Sequence, residues 1–259
     1  MHPMLNIAVR AARVAGNIIA KGFENQSELM IEAKGSNDYV TRIDKEAEHA
    51  IISKIQQSFP EHSFVGEEGG VVEGDNDFKW IIDPLDGTTN FIKGIPHFAV
   101  SIALMHKGRL DQSVVFDPIR GELFTASKGG GAQLNGFRIR ASKAKELSQT
   151  ILATAFPFKD KSTLPTYMRS FGKIFPHAGD IRRSGSAALD LAYVASGRYD
   201  GYWEKGVKPW DIAAGELLVR ESGGLVTDFD GGNDPMHKGE IVAGSPKIVQ
   251  ILVKHLKSK

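Results

Sequence analysis

The 259-residue chain contains no cysteine. That excludes disulfides, zinc–thiolate sites, iron–sulfur clusters and every thiol nucleophile, and with them a cysteine-phosphatase mechanism. Net charge is almost missing too: 32 basic residues against 31 acidic leave +1, so no overall field argues for nucleic acid as the main ligand. No apolar run approaches the ~20 residues that span a bilayer. The opening Met1-His2-Pro3-Met4-Leu5-Asn6 lacks the basic-then-apolar order of a signal peptide, and the expectation is a cytoplasmic protein with no membrane partner. The eight histidines, His2, His49, His62, His97, His106, His177, His237 and His255, form no HxxxH or HxH pair, so they read as surface or satisfied histidines rather than ligands. Internal repeats, low-complexity tracts and linkers are likewise missing. The cluster Gly129-Gly130-Gly131 lacks both the GxGxxG spacing and a Walker lysine, and reads as a turn between strands.

What is present is an ordinary globular composition, 41% hydrophobic and 24% charged, long enough for one large domain or two closely apposed ones. Leu5, Ala8, Val9, Ala12, Ala15 and Ile19 recur at helical spacing, predicting a first helix that ends near Gly22; Ala47, Ile51, Ile55 and Phe59 predict a second, closed by Pro60. Both should cover one side of a sheet. From Ser63 to about Gly136 short β-rich runs follow: Ser63 to Gly66, Phe78 to Ile82, Phe98 to Met105, Asp111 to Phe116 and Glu122 to Ala126. Lys107-Gly108 joins two of them closely enough for a hairpin, so part of the sheet should be antiparallel. Strands and helices then alternate, with strands at 151–155, 199–203, 225–227 and 241–243 and helices at 164–175, 186–196, 212–221 and 246–256. The inferred architecture is layered, with sheets between helix pairs.

The segment Trp80-Ile81-Ile82-Asp83-Pro84-Leu85-Asp86-Gly87-Thr88-Thr89-Asn90-Phe91 packs two carboxylates, a glycine and two hydroxyls behind an apolar run. Pro84 should end the ladder and leave Asp83 at the strand's exit. Gly87 allows close backbone approach, and the amides of Gly87, Thr88 and Thr89 would form a nest for phosphate oxygens beside a cation held by the two aspartates. A plain surface turn has a similar composition. Two further acidic positions favour a site: Glu67-Glu68 follow another strand, and Asp211 opens an apolar helix, where a simple N-terminal cap is its ordinary role. The short basic clusters Arg182-Arg183 and Lys205 with Lys208 read as solvated faces, with phosphate steering or partner binding as the alternative.

Together these segments resemble the inositol monophosphatases. The resemblance is carried by Trp80 to Phe91, by Trp210-Asp211-Ile212-Ala213-Ala214-Gly215 running to Ser222-Gly223-Gly224, and by Gly66-Glu67-Glu68 and Gly185-Ser186-Ala187-Ala188. It extends from the first helix nearly to the C-terminus. The resemblance implies an α+β fold, the layered αβαβα arrangement shared with fructose-1,6-bisphosphatase, as a single domain over 1–259. Residues 1–145 would form the metal- and phosphate-binding half and 146–259 the substrate-specificity half.

The resemblance also implies roles. Glu67, Asp83 and the carbonyl of Leu85 would hold one Mg²⁺; Asp83, Asp86 and Asp211 a second; Glu67 with waters a third. Glu67 and Thr88 would orient water for in-line attack on a phosphate monoester, with Asp44 holding the Thr88 hydroxyl. Asp86, Gly87, Thr88, Gly185, Ala187, Glu204 and Asp211 would contact substrate, Glu204 by accepting hydrogen bonds from inositol hydroxyls. Lys34 matches a position near the third metal and the phosphate. Inhibition by lithium and a homodimer are further implications. An all-oxygen donor set with room for water suits Mg²⁺ rather than zinc.

Two rival readings follow. A haloacid-dehalogenase mechanism needs a DxDxT string, whereas the spacing here is Asp83-x-x-Asp86, so no aspartyl-phosphate is expected. A bacterial branch of the same family is associated with Nus transcription factors and RNA polymerase in ribosomal RNA antitermination, which makes a binding factor the second expectation.

Overall fold

The computed structural model describes residues 2–25, 31–35, 38–158 and 160–257, the side chains of 31–40 and 76 excepted. Helix α1 (Pro3–Glu24) opens with Pro3 in its first turn, and the His2 side chain accepts a hydrogen bond from the Met4 amide. The short strands β1 (Ile31–Gly35) and β2 (Asp38–Thr41) pair with each other, and α2 (Arg42–Gln56) begins at a reciprocal cap between Thr41 and Asp44. Next come β3 (His62–Gly66), β4 (Gly70–Val72), β5 (Asp75–Asp86) and the short helix α3 (Thr88–Ile92). The meander β6 (Ala99–His106), β7 (Arg109–Asp117), β8 (Glu122–Ser127), β9 (Gly131–Leu134) and β10 (Phe137–Arg138) follows. The later part comprises β11 (Ile151–Thr154), α4 (Leu164–Ile174), β12 (Asp180–Arg182), α5 (Ala187–Ala195), β13 (Gly201–Lys205) and α6 (Pro209–Glu221). It closes with β14 (Leu225–Thr227), α7 (Pro235–Lys238), β15 (Glu240–Gly244) and α8 (Pro246–Leu256).

Among the described residues, eight strands form one sheet in the order β10-β9-β8-β7-β6-β5-β3-β4, and five form another in the order β12-β11-β13-β15-β14. Strand alternation assigns side chains to layers. On β6, Val100, Ile102 and Leu104 pack with α1 and α2, whereas Ala99 and Ala103 face the opposite side and pack with α5 and α6. The second sheet repeats the device. Tyr202, Ile241 and Ala243 face α5 and α6, while Trp203 and Val242 pack against α4 and α8. Period-two alternation in strands that are covered on both faces thus generates three apolar cores and five layers, αβαβα. The layered α+β expectation is met, and α1 with α2 does cover one side of a sheet.

Two expectations need correction. Pro84 does not end its strand: β5 runs to Asp86, with Asp83 opposite Ser101, Asp86 opposite Ala99, and a register shift between them. Proline is tolerated at a bulge because the extra residues leave the ladder there. The expected strand exit at Asp83 is therefore a bulge. The short strands β1, β2, β4, β9, β10 and β12 were also not anticipated; at two to five residues they carry little hydrophobic period, and they lack the compact β-branched run that marked the equally short β14. The hairpin at Lys107-Gly108 and the turn at Gly129–Gly131 are as expected. No helix among the described residues is long and apolar enough to cross a membrane.

Candidate active site

Strands β3 and β5 run parallel, with Gly66 opposite Ile82, and the Glu67 amide donates to the Ile82 carbonyl at 3.2 Å. The next residues along, Glu67 just past the end of β3 and Asp83 at the β5 bulge, therefore stand side by side. Asp83 is buried and its Oδ1 accepts from the Leu85 amide at 3.0 Å, folding the bulge back on itself. Asp86 then reaches across the layers. Its Oδ2 accepts from the Ser186 hydroxyl at 2.6 Å and from the Ala188 amide at 2.7 Å, so the first turn of α5 is anchored to the end of β5.

Gly87 adopts φ 101° immediately before α3; a Cβ there would stand 3.0 Å from the His97 carbonyl oxygen and 3.3 Å from that of Gly185. Both conformation and space demand glycine. Thr88 follows, its hydroxyl 3.2 Å from Asp44 Oδ1 and 3.1 Å from the Leu85 carbonyl. Asp44 is fully buried on α2 and also accepts from the amide and hydroxyl of Thr41. Asp211 lies in the first turn of α6, where its Oδ2 accepts from the Lys208 amide at 2.6 Å. The side chain that caps α6 is also one that lines the cavity. Glu204, on β13, accepts the Tyr202 hydroxyl.

A cavity of about 1170 Å³ is lined by Glu67, Asp83, Leu85, Asp86, Gly87, Thr88, Gly185, Ala187, Glu204 and Asp211. These are all the anticipated residues except Asp44 and Lys34. Asp44 stands behind the wall, joined to it through Thr88. Lys34 falls on β1, where its side chain lies outside the described residues. Arg183, Lys205 and Lys208 stand at the same cavity, whereas Arg182 is paired with Asp180 at 2.5 Å.

The electrostatics are those of crowded carboxylates. Burial first, then the nearby Glu67, Asp86 and Asp211, holds Asp83 well above the usual carboxylate range. Burial pushes Asp86 up to about 7, against the hydrogen bonds from Ser186 and Ala188 that favour its charged form. Such a cluster suits a hard divalent cation, and its donors are all oxygen. Among the described residues no three or more acidic or histidine side chains are grouped closely enough to hold a metal ion as they stand. The acidic side chains instead line the wall of the open cavity.

Sequence reasoning missed several residues here. Asn90 donates from Nδ2 to the carbonyls of His97 and Ser184 at 2.8 and 3.0 Å, stitching α3 to the loop that presents Gly185. Asp190 lines the cavity with a buried Oδ1 that meets no hydrogen-bond donor among the described residues. Ser186 both caps α5 and binds Asp86; a serine ahead of an apolar helical run was the available signal.

With this geometry in hand, the sequence matches the inositol monophosphatase family over residues 1–259. The chain belongs to that family. It is 58% identical over 260 residues to the Nus factor SuhB of Escherichia coli K12, covering 100% of this chain and 97% of that protein. Among solved structures, the extragenic suppressor protein suhB of Bartonella henselae superposes with a TM-score of 0.96 at 42% identity, covering 99% of each chain. The inositol monophosphatase from Anabaena (Nostoc) sp. PCC 7120 gives a TM-score of 0.87 at 38% identity, covering 97% of this chain and 94% of that one. Both the layered fold and the family are thereby established, and the relatives include proteins named for phosphatase activity and for a role as Nus factors.

Proposed function

We propose that this protein is a Mg²⁺-dependent phosphomonoesterase that hydrolyses myo-inositol 1-phosphate and related sugar or polyol phosphates. The observation that carries the reading is the single cavity in which four acidic side chains, Glu67, Asp83, Asp86 and Asp211, meet the Gly87–Thr88 turn. Residues 67–88 bind metal and phosphate, Asp211 completes the carboxylate set, and the rest of 146–259 selects the alcohol. Glu67, Asp83, Asp86, Asp211 and the Leu85 carbonyl are the groups that would hold Mg²⁺, which when bound neutralises phosphate charge and acidifies water.

The chain's own groups do the rest. The Thr88 hydroxyl donates to Asp44 or Leu85, either of which leaves its lone pairs to orient the attacking water, and Glu67 takes the proton. Amides of Gly87 and Thr88 donate to the phosphate oxygens as charge develops. Glu204, with one oxygen already held by Tyr202, accepts hydrogen bonds from the polyol. Phosphate release from myo-inositol 1-phosphate, measured with Mg²⁺, after chelation and with Li⁺, is the test. Turnover that is metal-dependent and lithium-inhibited is expected; none from folded, Mg²⁺-loaded protein would overturn the reading.

Full-length similarity to a Nus factor supports a second role, binding of Nus transcription factors and RNA polymerase. Co-purification that survives Asp83→Asn would establish it as separate from catalysis, and loss of all association in wild-type protein would remove it. The proposal includes a homodimer, which sedimentation velocity checks directly: a monomer at every concentration refutes it.

A further inference from the structure

Helix α2 buries two acids, Asp44 and Glu48, four residues apart, the spacing that stacks side chains on one helical face. Burying a carboxylate is costly unless hydrogen bonds meet it. Asp44 accepts from Thr41 and from Thr88. Glu48 is met by main chain: its Oε2 accepts from the Glu68 amide at 3.0 Å and its Oε1 from the Gly69 amide at 2.5 Å. Those amides belong to the turn that leaves β3, the turn in which Glu67 sits.

Two glycines make room for this contact. A Cβ on Gly69 would stand 2.7 Å from Glu48 Oε1, and one on Gly66 would overlap the same carboxylate. Glu67 is therefore bracketed by two positions whose lack of a side chain lets the backbone close onto Glu48. One carboxylate gripping two successive amides is a charge-assisted, two-point attachment, stronger and more directional than a single neutral bond.

We infer that Glu48 is a positioning residue: it clamps the Gly66–Gly69 turn so that Glu67 is presented beside Asp83. Asp44, one turn earlier on the same helix, holds Thr88. Helix α2 thus fixes both groups that handle the attacking water from behind the wall of the cavity, and neither acid needs to touch substrate. The inference rests on the function proposed above in giving Glu67 a metal and a proton to handle; the clamp itself does not.

The experiment compares wild type, Glu48→Gln and Gly69→Ala as full-length proteins. Three quantities are read: amide hydrogen exchange at Glu68 and Gly69 by NMR, Mg²⁺ affinity by calorimetry, and kcat with KM for phosphate release. In Glu48→Gln, exchange at the two amides should quicken ~10-fold while α2 keeps its protection, because one of the two accepting oxygens is replaced by an NH2 group that can only donate. Mg²⁺ should bind about 10-fold more weakly and kcat should fall ~10- to 100-fold with KM within about twofold, the pattern of a misplaced group rather than lost ground-state binding. Gly69→Ala, which pushes on Glu48 Oε1 without removing it, should move the same readouts in the same direction and decides the matter if Glu48→Gln fails to fold. A variant that melts at lower temperature with unchanged amide exchange and Mg²⁺ affinity would overturn the clamp. Wild-type protein that neither binds Mg²⁺ nor releases phosphate would overturn the proposed function instead, leaving exchange at Glu68 and Gly69 to decide the clamp.

Discussion

On one wall of the cavity, Glu67, Asp83, Leu85, Asp86 and Thr88 come from a continuous stretch between β3 and α3; on the other, Gly185, Ala187, Glu204 and Asp211 come from the starts of two helices and from β13. The first wall is set by strand register. Parallel pairing of Gly66 with Ile82 places Glu67 beside Asp83, and a slip of one residue would turn both away. The second is set by two helix starts and by β13, whose pairing with β11 and β15 holds Glu204 opposite Ile241. On the proposed function, the metal and phosphate chemistry rests on that strand register together with Asp211, and selection of the alcohol on the remaining residues of the second wall, drawn from separate elements.

That division can be broken most directly at Asp83. Asp83→Asn should lower kcat/KM by about 10³-fold or more, the scale of losing a principal electrostatic element of a site, with the fold retained by circular dichroism; a loss under tenfold would take Asp83 out of the chemical wall. Thr88→Ala should reduce kcat ~10²-fold with KM little changed, since it removes orientation rather than binding, and steady-state kinetics would show it. Glu204→Gln should do the reverse, raising KM about 10-fold while kcat falls less, because a contact with the ring acts on the bound substrate. An equal kcat loss without a KM change would merge the two walls.

Asp190 gives the smallest effect and the sharpest electrostatic test. Burial holds its carboxyl well above the usual range, so the native state favours the protonated form and the ionised form is penalised. Below the ordinary carboxylate value both folded and unfolded chains are protonated and no penalty exists; as pH rises from there toward the folded value the penalty grows. Asp190→Asn should therefore raise the Tm by about 2–4 °C at pH 8, if about 1 kcal/mol is relieved, with the gain vanishing below about pH 3. Thermal melts across that range check it. Destabilisation at pH 8 would mean that the ionised carboxylate is held by a partner and belongs to the selecting wall.

The legible parts of the molecule were those where chemistry and chain order coincide. Trp80 to Phe91 announces itself because donors, glycine and hydroxyls lie in one run, and helices such as α8 were read to the residue because their apolar period is uninterrupted. Asp211 was legible as a helix cap, and it lines the cavity. Pro84 misled because a proline ends a regular ladder yet sits comfortably in a bulge, and nothing local distinguishes the two. Glu48 and Asn90 were invisible for a different reason: their partners are the Glu68 and Gly69 amides and the Ser184 carbonyl, and main-chain partners leave no residue-type signature.

The sequence by itself determined the donor chemistry, an all-oxygen set without thiols or paired histidines, and the alternation that sorts side chains into layers. Tertiary structure decided which donors meet. Asp86 and Ser186 stand 100 positions apart in the chain, and Thr88 and Asp44 stand 44 apart. No local preference carries over such separations. They close because burying the two faces of each sheet fixes where the helices sit, and with them the atoms at the helix ends.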